Sequence, residues 1–167
     1  MLDLLCLLVF PALMAFAAAS DLVTMTISNR VSLALVAAFF VLAFMTGMSA
    51  QTVATNVGLA VAVLVVGFIC FSRGWIGGGD AKLAAATVLW LGIDQAANYL
   101  LYAAVLGGVL TLLILKFRTY PLPFALSRQA WLMRLHQPTT GVPYGIALAA
   151  AALMIYPETG FMKAVGF

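Results

Sequence analysis

The chain has 167 residues, 65% of them hydrophobic and only 8% charged, with a mean hydropathy of +1.15. A soluble domain of this length cannot hide so much apolar surface, so the composition excludes an ordinary globular protein and points to lipid as the solvent. The net charge of +3, from eight basic and five acidic residues, reads in so apolar a chain as membrane topology and excludes a nucleic-acid partner.

A bilayer core of about 30 Å needs about 20 mainly apolar residues per helix. Charges and turn residues divide the chain into six apolar spans, and the first runs from Leu2 to Ala19. This span has the small-x-small look of a signal-peptide end at Ala15-Phe16-Ala17, but it opens on Met1-Leu2-Asp3 with no basic side chain, so a retained helix is expected. The second and third spans run from Val31 to Met45 and from Val53 to Phe71. The fourth, Ala81 to Leu91, is short: Ala81 to Gly92 rises only about 18 Å at 1.5 Å per residue, which would let water reach its start. Gly92 to Gln95 is the expected turn into the fifth span, Ala96 to Leu115. The segment Phe124 to His136 reads as an interfacial stretch in contact with lipid headgroups, and the last span runs from Pro143 to Tyr156. Cys6 and Cys70 lie 64 positions apart inside apolar runs, where buried, reduced thiols are expected and a metal site is not. The expected fold is an all-α, polytopic membrane bundle of about six transmembrane helices, one domain over 1–167.

Short loops rich in Lys and Arg stay on the cytoplasmic side of a membrane. The first, third and fifth connections, with their helix ends, carry Arg30, Arg73, Lys82, Lys116, Arg118, Arg128 and Arg134, against Lys163 alone on the other side. This bias predicts extracytoplasmic termini and puts Asp21 and Asp80 together at the cytoplasmic end. Acids at a membrane edge are costly and need a partner or a purpose. If the two carboxylates face each other, repulsion keeps both from ionising at once, and a pair that shares one proton can activate water and protonate a scissile carbonyl. Asp80 follows Trp75-Ile76-Gly77-Gly78-Gly79, whose glycines allow close backbone approach. A phosphate-binding loop is the rival, but the GxxxxGK[ST] spacing is absent. The structural alternatives are a helix N-terminal acid for Asp80 and a capping or Arg30-paired acid for Asp21.

Gly77-x-Gly79-Asp80-x-Lys82 resembles the GxGDxK motif of the prepilin peptidases, which are polytopic membrane aspartic peptidases. Asp21 followed eight positions later by Asn29 is similar to that family's first aspartate box, although Ile27-Ser28-Asn29 replaces its frequent Ile-Pro-Asn. Pro143-Tyr144-Gly145 is similar to the element that opens its last helix. The resemblance implies catalysis by Asp21 and Asp80, with Gly77, Gly79, Lys82, Asn29, Pro143, Tyr144 and Gly145 shaping the site, and with no metal or cofactor. It implies as substrate a prepilin, with a short basic leader ending in Gly and then an apolar helix held in the bilayer, at the bacterial inner membrane. Other pilus-assembly proteins are further candidate partners. The larger members carry an added methylating domain, and this chain resembles the short, peptidase-only branch associated with tight-adherence (Flp-type) pili. No acid besides Asp21 and Asp80 falls on the cytoplasmic side, so the expected leader recognition rests on helix, Gly and lipid headgroups more than on charge pairing.

Two other classes remain. Presenilin-like intramembrane proteases share the GxGD string, but Pro11-Ala12-Leu13 precedes both aspartates here, whereas their Pro-Ala-Leu follows. A small channel or proton-coupled transporter would also use buried Asp and Lys, without the inverted repeat that would support it.

Overall fold

The computed structural model describes residues 2–123 and 128–164 and is helical throughout most of that length. The first helix, α1 (Leu2–Thr24), is longer than its apolar span and carries Asp21 on its last turn instead of in a loop. Polar residues continue it: the Thr24 hydroxyl bonds back to the Ser20 carbonyl at 2.7 Å, and Met25, at φ 56°, ends the helix in the left-handed region. Ser28 caps α2 (Asn29–Met45) by accepting the Arg30 amide, and Ser49 caps α3 (Ala50–Ser72) through the Thr52 amide.

The next helical segment, Gly78–Arg118, breaks at Gly92, where φ is 71° and ψ is −177°. We denote its halves α4 (78–91) and α5 (93–118). That backbone conformation is essentially confined to glycine, and it folds the segment into a hairpin. Ala84 and Leu100, each eight positions from Gly92, line one groove. A Cβ on Gly92 would lie 3.1 Å from Asn56 Oδ1, and buried Asn56 donates to the Leu89 carbonyl at 3.1 Å, supplying a partner in the turn before the break. The connection is therefore one residue where the sequence suggests four.

Beyond α5 come α6 (Ala130–His136), α7 (Gly145–Ile155), a 3₁₀ turn (Tyr156–Glu158) and α8 (Gly160–Ala164). The interfacial stretch expected from Phe124 lies outside the described residues as far as 127. From Ala130 onward it forms α6, whose His136 Nε2 donates to the Tyr120 carbonyl at 2.8 Å. Four segments are long and apolar enough to cross a membrane, namely Leu2–Thr24, Ala50–Ser72, Gly78–Arg118 and Gly145–Lys163, and α2 is a shorter apolar helix of 17 residues. The hairpin at Gly92 splits the third of these, so the all-α bundle makes six passes, as expected.

The bundle is tied together at the end away from Asp80. Phe10, Phe39, Trp90, Tyr156 and Phe161 pack ring on ring there, with Phe10 and Tyr156 centroids 4.4 Å apart. Trp90 Nε1 donates to the Leu35 carbonyl at 3.0 Å, and the Tyr156 hydroxyl to that of Cys6. Cys6 is buried, but Cys70 is only half-buried, on a groove beside α3. Replacing Gly92 with Ala should cost about 1–3 kcal/mol, the price of a non-glycine side chain in this backbone region, read as a melting temperature lowered by roughly 2–10 °C in detergent. Gly108→Ala, on the same segment with open space around it, should leave the melting temperature unchanged or raise it.

Candidate active site

Three helix ends meet where the sequence places its two acids. Asp21, on the last turn of α1, is 5% exposed, and its Oδ2 accepts the Gly145 amide at 2.7 Å. Gly145 opens α7, and its N–H is one of the unpaired donors of a helix N-terminus. No side chain fits at that position: a Cβ would stand 2.8 Å from Asp21 Oδ2 and 2.7 Å from Ile27 Cδ1. The Pro-Tyr-Gly element thus places a bare amide against a carboxylate from the far end of the sequence.

Asp80 is the third residue of α4, whose N-cap is Gly77. Its carboxylate turns back toward the Gly77 amide, and a Cβ on Gly77 would lie 2.7 Å from Asp80 Oδ2. An acid at this position reaching back over the N-cap is a favoured use of the helix terminus. A Cβ on Gly79 would meet that of Ile27 at 3.1 Å, so the glycine run is what lets the start of α4 sit against the loop after α1.

Between these ends lies a cavity of about 900 Å³, lined by both Asp21 and Asp80 together with Ile27, Trp75, Gly79 and Tyr144. Asp21 lies near enough for its charge to act on Asp80. Tyr144 donates to the Ala103 carbonyl on α5 at 3.0 Å. Such an arrangement can hold water and peptide between two acids in a chamber open at one end of the bundle.

Of the residues picked out by sequence, Asp21, Asp80, Gly77, Gly79 and Tyr144 line this cavity, Gly145 touches Asp21, and Pro143 is buried. Lys82 and Asn29 are elsewhere. Lys82 Nζ donates to Asn29 Oδ1 at 2.8 Å, tying the start of α4 to the start of α2, and both line an apolar groove on the outside of the bundle. Asp21 is met by the Gly145 amide, not by the Arg30 weighed as its partner. Among the described residues no group of three His, Cys, Asp or Glu side chains is placed to hold a metal ion.

Sequence reasoning missed Arg118, which it counted only as a topology charge. Its guanidinium donates to the carbonyls of Leu135 at 2.9 Å, Thr140 at 3.1 Å and Gly141 at 2.9 Å, and so pins the strand of loop that leads into Pro143, Tyr144 and Gly145. It also missed Gly107, where any Cβ would strike the Tyr144 ring. The Gly107-Gly108 pair inside an apolar run was the available signal for the second; nothing local marks the first.

An all-helical bundle of membrane-length segments, with two acids converging on a chamber at one end, defines a membrane-embedded site built on helix termini. Residues 8–112, well over half of the chain, match the type IV leader peptidase family. The chain belongs to that family, and by that membership is a membrane peptidase. No curated protein and no solved structure matches it.

Cutting the Arg118 clamp should loosen the loop without unfolding the bundle. In Arg118→Met the backbone amides of Thr139 to Val142 should exchange with deuterium about tenfold or more faster, the loss of a charge-assisted hydrogen bond being worth about 1.5–3 kcal/mol, while amides of α1 and α4 keep their protection.

Proposed function

We propose that the chain is an aspartic endopeptidase that removes the basic leader from prepilin precursors, with Asp21 and Asp80 as its catalytic pair. The observation that carries this reading is that two acids, 59 positions apart in sequence, line one cavity and interact there. Two carboxylates in mutual repulsion share a proton. One takes a proton from water as the water oxygen attacks the scissile carbonyl; the other gives its proton to the carbonyl oxygen. Collapse of the tetrahedral diol breaks the C–N bond, and the departing amine takes up a proton.

The remaining residues serve this pair. Gly77 lets the Asp80 carboxylate fold back over the start of α4 and Gly79 lets the loop after α1 close on it, the Gly145 amide orients Asp21, Tyr144 walls the chamber, and the Lys82–Asn29 contact steadies the start of α4. No cofactor enters the reaction. Seven of the eight basic residues belong to the connections at the site's end of the bundle or their helix ends, which supports a cytoplasmic-facing site in the inner membrane. The precursor and the bilayer are the partners this reading implies, with other pilus-assembly proteins as further candidates.

Co-expression with a matched prepilin tests the reading directly. Asp21→Asn and Asp80→Asn, each alone, should reduce conversion of precursor to mature pilin by on the order of 10³-fold or more, since loss of either member removes general acid–base catalysis. Both variants should still fold and insert. Full processing by either one would rule out the dyad.

A further inference from the structure

Two apolar grooves run along the outside of the bundle. The larger, about 500 Å³, lies between α2, α3 and α4 with Asn29 and Lys82 at its head, and neither Asp21 nor Asp80 lines it. The smaller, about 350 Å³, lies between α3 and α5 over a floor of α4 and α7. At its head stand Ile76, Asp80 and Tyr144, and the same three residues line the polar chamber. The chamber therefore continues into this groove past one carboxylate, and does not continue into the larger one.

The smaller groove has the shape of a binding surface for apolar chain. One wall is a stripe on α3 at positions 62, 63, 66, 67 and 70, the spacing of a single helix face. Its floor is shallow because α3 and α4 approach closely: a Cβ on Gly67 would lie 2.9 Å from that of Ala81. Val66 is 59% exposed and Leu100 42% exposed on the two rims, so the groove opens sideways to lipid. One turn of helix, about 10 Å across with a 5.4 Å pitch, fills roughly 400 Å³. The groove therefore takes a few extended residues or one face of a helix, not a whole span.

We propose that this groove is the subsite for the apolar residues that adjoin the scissile bond, and that the precursor reaches Asp80 sideways from the bilayer between α3 and α5. The proposal rests on the peptidase reading above. The polar leader occupies the chamber while the apolar segment stays in the groove, so substrate passes from lipid to site without exposing its apolar residues to water. Specificity for an apolar neighbour of the bond follows from the wall of small and branched side chains.

A photoreactive benzoylphenylalanine placed at Val66, Leu100 or Val61, in the full chain carrying Asp21→Asn to spare the precursor, tests the path. Val61 lies on the larger groove and is 53% exposed. Cross-links to the precursor's apolar segment are expected from 66 and 100 and not from 61; the reverse pattern overturns the proposal and leaves the peptidase reading standing. In the otherwise unaltered chain, Val66→Trp and Leu100→Trp should lower kcat/KM for the precursor about tenfold or more. That loss should be relieved when the apolar residues next to the bond are shortened to Ala. Equal slowing of both precursors overturns the subsite. An unsubstituted chain that cleaves no precursor overturns the peptidase reading, and the subsite with it.

Discussion

The hydrogen bond from the Gly145 amide to Asp21 is the contact on which the site's end of the bundle depends. It joins the first helix to the last across 124 positions, and it can form only because Gly145 has no side chain to strike Asp21 or Ile27. Gly79 meets the same Ile27 from the side of α4. One short loop after α1 is thus clasped by two glycine-bearing helix starts, and each brings an unpaired helix N-terminus toward a carboxylate. Backbone amides supply polar partners here without additional charged side chains, which an apolar bundle holds at heavy cost.

The rest of the fold serves that convergence. At the far end, interlocked aromatic rings and the Trp90 and Tyr156 hydrogen bonds hold the helices together. At the near end the helices leave a chamber of about 900 Å³. Arg118 secures its loop side with three carbonyls, and Lys82 with Asn29 secures the other. Tight packing at one end and polar fastening at the other is what allows a cavity to persist in a small bundle without collapse.

The bundle itself was legible in the sequence because hydropathy is a strong, additive signal: six apolar runs became six passes, with their order and their shared polar end intact. The two acids were legible for a related reason, since a carboxylate in such a chain stands out against its surroundings. Boundaries fared less well. Asp21 and Asp80 both lie on helices, not in loops, because capping by Gly77 and local bonds of Thr24 extend α4 and α1 past the apolar runs. Gly92 turns the chain alone because Asn56, a residue on another helix, supports the break. The place of Lys82 was not legible from its motif: it stands two positions from Asp80, and at 100° per residue it points away from the chamber toward Asn29.

That last geometry bears on how a chamber forms at one end of the bundle. The helix α4 has 14 residues from 78 to 91 and rises only about 21 Å, less than the hydrocarbon thickness of about 30 Å. With its far end anchored among the aromatic rings, Asp80 falls short of the other membrane surface. Its neighbours reach further: α3 continues to Ser72 and α5 to Arg118. The shortfall is the chamber, walled by longer helices and roofed by the loops around Trp75 and Gly141. The short α4 therefore leaves Asp80 at the floor of the chamber, while Asp21 reaches it from the last turn of the longer α1. Gly77, Gly79 and Gly145 then let Asp80, Ile27 and Asp21 close in on the helix starts around that chamber.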